Sequence, residues 1–312
     1  MPEPPPFFSV VIPTYNRAVK VTRAIESVLS QTWPDFDVWV VDDGSTDATG
    51  AALAPYRARI HTLRQENSGV AAARNHAMLA SRGTWIAFLD SDDRWKPTKL
   101  AAFAEEIRAH PTAALFYSSI AVVSEEGHFL RVNHSRTVRG SAYLPLLKGN
   151  FLSVAAVVVR RDCLSEAGLF DTSLGFAEDW DLWLRIARRY PIQRVPGVLT
   201  VFETARSGKK SSDRQGWLQA HDQILAKAFQ DDPGLSPSLR REIQANIAVV
   251  KGRIFLEAGD TAQALGWFEQ AAGLSPRLWK AQLFRLLSAY PSVLAWLPGP
   301  FLRRLHLSPP PR

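Results

Sequence analysis

A chain of 312 residues with 46% apolar and 21% charged side chains can bury a sizeable core, which excludes a disordered, collagenous or coiled-coil protein. One cysteine, Cys163, excludes an intrachain disulfide framework and any multi-cysteine zinc site, and suits a reducing compartment. The net charge of +7 lies in the last third: residues 1–205 carry 22 basic and 22 acidic side chains, residues 206–312 carry 15 and 8. The N-terminal Met-Pro-Glu-Pro-Pro-Pro has no basic segment followed by an apolar stretch, and no later run reaches the roughly 18 apolar residues of a membrane span, so neither a signal peptide nor a transmembrane helix is expected.

In chain order, a strand over residues 8–12 precedes a helix whose apolar stripe is Val21, Ile25, Val28 and Leu29. Strand 38–41, helix 47–58, strand 60–63, the Ala-rich helix 70–80 and strand 85–89 follow. Repeated βα units predict a mostly parallel, Rossmann-like α/β sheet with helices on both faces, and in such sheets ligands bind beyond the carboxyl ends of the strands. From 111 to 205 the pattern is less regular. An apolar run at 154–159 and a helix opening at Glu178-Asp-Trp-Asp181 and running to 189 complete the sheet and one wall of a cleft. Residues 208–212 read as a mobile loop, and the chain then looks helical until the prolines near 298.

Three strand ends carry unusual residues: Pro13-Thr-Tyr-Asn16, Asp42-Asp-Gly-Ser45 and Asp90-Ser-Asp-Asp93. Like charges at one rim repel, so such a cluster needs a cation, a proton or a donor beside it. Asp90, Asp92 and Asp93 offer hard oxygens with no histidine or thiol close in sequence, which favours Mg²⁺ or Mn²⁺. A calcium EF-hand is excluded by Trp95 and Ala101 where glycine and glutamate are needed; a plain Asp-rich turn capping a helix near Pro97 is the structural alternative. At the second strand end Gly44 predicts a tight turn and Ser45 or Asp47 an N-cap. The other aspartate, Asp43, is then an acceptor for a nucleobase N–H, with Tyr15 as an aromatic wall. No Gly-x-Gly-x-x-Gly or P-loop pattern is present, so nucleotide binding must rest on a metal.

Together with Asn67-Ser-Gly-Val-Ala-Ala-Ala-Arg-Asn75 and Glu178-Asp-Trp-Asp-Leu-Trp183, these segments resemble the family 2 inverting glycosyltransferases of GT-A fold, over residues 8–205. The resemblance implies a glycosyltransferase domain over 1–205, with a nucleotide-sugar half (8–110) and an acceptor half (111–205); beyond it the chain reads as a loop and linker helix (206–245) and a basic helical tail (246–312). It implies that Pro13, Tyr15 and Asp43 border the base and that Arg74 runs beside the donor, with Asn75 fixing that wall. Asp90 and Asp92 match the Asp-x-Asp motif, with Asp92 the direct metal ligand and Asp93 adjacent, and Asp179 matches the base. A metal across the diphosphate would favour leaving-group departure, and one carboxylate near the acceptor hydroxyl would take its proton in a single inverting displacement. Within the same helix Glu178 could cap or act as base instead, Asp181 could pair with Arg185 on a solvated face, and Trp180 and Trp183 read as core.

One departure stands out. Where many relatives have a histidine after the strand that follows the base helix, this chain has Phe202-Glu-Thr-Ala-Arg206. Either Arg206, Lys209 or Lys210 neutralises the diphosphate, or water completes the metal shell; His221 reads as a helix-surface residue. Residues 247–276 resemble one tetratricopeptide-type helix pair, which cannot bury its own face. After Glu269 the chain is basic and aromatic (Arg277, Trp279, Lys280, Phe284, Arg285, Trp296, Phe301, Arg303, Arg304, Arg312), a composition suited to an anionic membrane interface. Nucleic-acid binding is not expected, because the body has no excess positive charge. The combined expectation is a Mn²⁺- or Mg²⁺-dependent transfer from a nucleotide-diphosphate sugar, UDP-linked, to a saccharide or lipid-linked acceptor in surface polysaccharide assembly. It would take place in the cytoplasm or at the inner face of the membrane. A nucleotidyltransferase, or a non-catalytic sugar-nucleotide scaffold acting through the tail, are the rivals.

Overall fold

The computed structural model describes residues 4–204, 213–279 and 281–284. Arg206, Lys209 and Lys210, and in the tail Lys280, Arg285, Trp296, Phe301, Arg303, Arg304 and Arg312, lie outside the described residues. The chain divides into two compact units, residues 1–143 with 151–210, and residues 144–150 with 211–312.

The elements run β1 (Phe8–Thr14), α1 (Ala18–Leu29), β2 (Phe36–Asp42), α2 (Thr49–Leu53), β3 (His61–Arg64), α3 (Val70–Ala80), β4 (Trp85–Phe88), β5 (Arg94–Trp95), α4 (Lys99–Ala109), β6 (Leu115–Val123), β7 (Phe129–Asn133), α5 (Tyr143–Leu147), β8 (Val157–Arg160), α6 (Leu164–Ala167), α7 (Glu178–Arg189), β9 (Ile192–Glu203), α8 (Arg214–Asp231), α9 (Pro237–Glu257) and α10 (Thr261–Leu274). Helices 70–80 and 178–189 have the expected bounds. Helix 47–58 is shorter than expected: α2 gives way to a 3₁₀ turn at Ala54–Tyr56, where Pro55 sits.

Among the described residues the sheet has the order β3-β2-β1-β4-β8-β6-β9-β5, with β7 on β6. Strands β3, β2, β1 and β4 are parallel, as are β6 and β9; antiparallel neighbours enter with β8, β5 and β7. The expected GT-A arrangement is therefore present. Every residue of β1 is buried, as a central strand covered on both faces requires. On one face Phe8, Val10 and Ile12 pack with Val21, Ile25 and Val28 of α1 and with Leu100 and Phe103 of α4. On the other, Phe88 meets Phe170 and Trp183, with ring centroids 5.4 and 5.9 Å away; such aromatic pairs contribute about 0.5–1.5 kcal/mol beyond area burial.

Register carries the strand ends to one rim. Thr14 of β1 lies beside Asp42 of β2, and Leu89, just past β4, donates its N–H to the Val11 carbonyl of β1 at 3.0 Å. The segments after Pro13, Asp42 and Leu89 therefore leave the sheet in the same direction, because parallel strands share their carboxyl edge.

In the helical unit, α9 and α10 form a hairpin through Ala258–Gly259–Asp260, whose last residue caps α10 by accepting the Gln263 N–H at 3.1 Å. Gly252 permits the close approach: a Cβ there would come within 2.5 Å of the Phe268 ring. Around that contact Ala248, Phe255, Ala264, Ala271 and Phe284 close a small core. His221 is buried on α8 against the Trp217 ring, with Nδ1 at 2.9 Å from the Trp217 carbonyl, and burial lowers its pKa to about 4. The surface position expected for it is thus corrected: one turn of α8 covers the imidazole. No helix among the described residues is long and apolar enough to cross a membrane.

Candidate active site

Two non-glycine residues among the described ones adopt left-handed backbone, Asn16 (φ 51°) in the turn after β1 and Ala177 (φ 55°) at the N-cap of α7, each beside residues of the expected site. Such conformations persist only where surrounding contacts over-determine them, and they concentrate at functional sites. At Asn16 the contacts are reciprocal. Its Oδ1 accepts the Thr46 and Asp47 N–H groups at 2.8 and 3.3 Å, and its own N–H donates to Ser45 Oγ at 2.9 Å. Arg17 N–H then donates to Thr49 Oγ1 at 3.0 Å. Ser45 is therefore not the N-cap of α2: Ala48 occupies that position without a side-chain cap, Ser45 holds the neighbouring loop, and Asp47 accepts the Thr49 N–H at 2.9 Å. Tyr15, beside Asn16, is 44% exposed at the rim, while Pro13 is buried in β1.

Asp42 and Asp43 are both buried. Asp42 accepts the Ser45 N–H and Arg64 Nη1, each at 2.8 Å, closing the turn that Gly44 (φ 80°) makes. Asp43 accepts Gln65 Nε2 at 2.8 Å and the Ser68 and Gly69 N–H groups at 2.9 Å, fixing the entry to α3. A carboxylate offers about four acceptor positions, so three protein donors leave Asp43 one for a ligand.

Arg74, on α3 and 3% exposed, spans the site. Nη2 donates to Asp90 Oδ1 and Nη1 to Glu178 Oε1, both at 2.7 Å, and the guanidinium lies 5.3 Å from the centroid of the Phe170 ring. Burial pulls its pKa down, but the Asp90 and Glu178 charges more than compensate and the net shift is upward. Asn75 brackets the backbone of Phe170, donating to its carbonyl at 2.8 Å and accepting its N–H at 3.0 Å. One helix thus joins the carboxylates after β4 to the start of α7.

At that start Glu178 is tied to Arg74, whereas Asp179 keeps partial exposure and accepts the Trp180 N–H at 2.7 Å. Burial of its carboxyl, and then the adjacent Glu178 charge, raise the Asp179 pKa to about 7 against the opposing pull of Arg74. Trp180 and Trp183 are fully buried, as expected. Asp181 does pair with Arg185, at 2.6 Å, but on a buried face rather than a solvated one, because Arg185 also reaches the carbonyls of Ala167 and Leu169.

The three aspartates after β4 do not form a cage. Asp90 meets Arg74, and Asp92 meets Arg17 Nη1 at 2.5 Å. Asp93, expected beside a metal, is 1% exposed and faces inward, where its Oδ1 accepts the Glu203 N–H at 3.2 Å and ties this turn to β9. Among the described residues no group of three or more His, Cys, Asp or Glu side chains could hold a metal ion. Asp90 and Asp92 nonetheless fit Mg²⁺ or Mn²⁺, which commonly take one or two carboxylates and draw their other ligands from a substrate diphosphate and water.

Sequence reasoning missed the basic face of α1. Besides Arg17, Lys20 Nζ lies 2.9 Å from Glu203 and 3.3 Å from Glu125, and Arg23 lies 3.3 Å from Glu203. The signal was present: positions 17, 20 and 23 recur at three-residue spacing just after the Pro13-Thr-Tyr-Asn16 segment.

The family model described as glycosyl transferase family 2 matches residues 9–164, half of the chain. The chain belongs to glycosyl transferase family 2. Among curated relatives, this glycosyltransferase-family chain is 30% identical over 192 residues to the putative teichuronic acid biosynthesis glycosyltransferase TuaG of Bacillus subtilis, covering 59% of this chain and 73% of that protein. It is 30% identical over 195 residues to the chondroitin synthase of Escherichia coli, covering 61% of this chain and 28% of that protein. An uncharacterised glycosyltransferase of Rickettsia felis is 28% identical over 218 residues, a match that spans 36% of its length. Two solved structures share the fold. S. aureus TarS 1–349 in complex with UDP-GlcNAc has a TM-score of 0.62 at 20% identity, covering 93% of this chain and 91% of that one. The mannosyltransferase PcManGT from Pyrobaculum calidifontis, in complex with GDP-Man and Mn²⁺, has a TM-score of 0.61 at 22% identity, covering 98% and 85%.

Proposed function

We propose that this family 2 member transfers a sugar from a nucleotide-diphosphate donor, UDP-linked, to a hydroxyl of a saccharide or lipid-linked acceptor, with inversion at the anomeric carbon. The observation that carries the reading is the Arg74 bridge. It ties Asp90, at the donor side, to the helix whose first turn presents Asp179 with a pKa raised to about 7. A base poised near neutrality is the protonation balance that general-base catalysis favours.

In this mechanism Tyr15 flanks the base and Asp43 accepts its N–H through the one remaining acceptor position, with Pro13 shaping the strand end below. Asp90 and Asp92 would hold Mg²⁺ or Mn²⁺, which when bound offsets the charge that builds on the departing diphosphate. Asp179 accepts the acceptor hydroxyl proton as that oxygen bonds to the anomeric carbon. The bond from that carbon to the diphosphate oxygen breaks in the same displacement, and the nucleoside diphosphate leaves with the electron pair. Glu178, held by Arg74, stays fixed, and its charge beside Asp179 raises that group's basicity. The names of TuaG and chondroitin synthase support polysaccharide assembly, and the UDP-GlcNAc bound to TarS supports a UDP-linked donor. The acceptor would be met in the cytoplasm or at the inner membrane face, with the basic tail as the peripheral contact.

Calorimetry of UDP binding with and without Mn²⁺, on wild type and Asp92→Ala, tests the donor site. Metal should strengthen binding in wild type only; binding indifferent to metal in both would overturn the assignment. Screening UDP- and GDP-linked sugars for metal-dependent hydrolysis then identifies the donor.

A further inference from the structure

The sequence assigns no role to Arg17, yet the structure aims it at the residue expected to bind the metal most directly. Its side chain is 27% exposed and reaches Asp92, 14% exposed, at 2.5 Å. The aim is built into the backbone. Asn16 is held in left-handed conformation by the loop after β2, the Arg17 N–H is anchored on Thr49 Oγ1, and α1 begins one residue later. Lys20 and Arg23 of α1 are directed to Glu203, whereas Arg17, the residue before that helix, meets Asp92.

A guanidinium and a divalent cation cannot both take full advantage of one small carboxylate, because each withdraws the charge that the other needs. A guanidinium also binds phosphate oxygens as readily as carboxylate oxygens, through the same planar fork. We infer that Arg17 is a positioning residue that holds Asp92 while the donor is absent and is handed to the donor's diphosphate when the metal takes Asp92. Metal and diphosphate binding are thereby coupled. This inference rests on the proposed donor site.

The experiment is Mn²⁺ binding to the full-length protein, followed by electron paramagnetic resonance of free Mn²⁺, with and without UDP, in wild type, Arg17→Gln and Arg17→Lys. Removing the charge should tighten Mn²⁺ binding without UDP by about fivefold, the equivalent of one partly exposed ion pair, and should shrink the enhancement that UDP gives. Arg17→Lys, which keeps the charge, should leave metal-only binding near the wild-type value. Equal or weaker metal-only binding in Arg17→Gln would overturn the inference, as would an Arg17→Lys variant indistinguishable from Arg17→Gln. Wild-type protein that binds Mn²⁺ neither alone nor with UDP would overturn the donor site as well, which separates the two failures.

Discussion

The acids at the end of β2 and those at the end of β4 and the start of α7 stand on one unit of the fold and differ in how far backbone amides compensate them. After β2, Asp43 is satisfied mainly by backbone N–H groups of the segment leading to α3, and Asp42 by the Ser45 N–H and Arg64. After β4 and at α7, Asp90, Asp92 and Glu178 are each met by a guanidinium from another segment, Arg74 of α3 or Arg17 just before α1. A backbone amide cannot leave without unfolding its loop, whereas an arginine side chain can exchange partners by rotation. The first set builds the floor of the site; in the second the buried Arg74 holds Glu178 and Asp90 fixed, and the part-exposed Arg17–Asp92 pair has the chemistry of groups that change partner during a reaction.

The sharpest way to break this contrast is at Asp179. Asp179→Asn should lower transfer by about 10²–10⁴ while leaving donor affinity intact, as removal of a general base does; steady-state rates with calorimetry check it, and normal turnover excludes Asp179 as base. In wild type, kcat/KM should fall about tenfold per pH unit below about pH 7, where the raised carboxyl protonates. Stability should move the other way. A carboxyl raised from 3.8 to about 7 in the fold stabilises the protein below pH 4, and that contribution is lost as pH rises through 7. At pH 8 the Asn variant, relieved of the unfavourable charge, should therefore melt higher than wild type. An Asn variant that melts lower at pH 8 would show that Asp179 is a structural anchor.

Next in size is the bridge itself. Arg74→Ala leaves Glu178 and Asp90 without their common cation and should cost about 3–5 kcal/mol in urea denaturation. Arg74→Lys keeps the charge but cannot fork to two carboxylates, so it should cost less in stability while still lowering the rate. A silent Arg74→Ala would mean that the carboxylates are balanced by other groups.

What could be read in the sequence was local. Helices 70–80 and 178–189 were legible because their apolar spacing and Ala content are properties of contiguous residues, and the convergence of three strand ends, two of them acidic, followed from parallel topology. The Asp181–Arg185 pair was legible from its four-residue spacing, but its burial was not, since the carbonyls of Ala167 and Leu169 that enclose it arrive from another segment. For the same reason Arg17 and Asp92, 75 positions apart, gave no sign of meeting, and the inward turn of Asp93 depended on β9. His221 was misread because its helix has a weak polar face and its cover, Trp217, is itself amphipathic.

On the fixed side of the comparison, Asp43→Asn replaces an acceptor of three donors by a group with one acceptor oxygen, and should cost about 1–3 kcal/mol together with a loss of nucleotide affinity. If affinity falls while stability does not, Asp43 belongs with the exchangeable acids and the contrast fails there.

The smallest effect expected is at Asn16, and it separates backbone from side chain. Asn16→Gly keeps access to left-handed φ but removes the acceptor for the Thr46 and Asp47 N–H groups, whereas Asn16→Ala removes the acceptor and also resists φ 51°. Both should cost about 1 kcal/mol for the lost bonds, and Ala roughly 1 kcal/mol more for the backbone. Because Tyr15 and Arg17 flank this residue, donor KM should rise in both variants and more in Ala. Equal stabilities for Gly and Ala would mean that the loop relaxes out of the left-handed region once the clamp is gone, and that the aim of Arg17 depends on the side-chain bonds of Asn16 alone.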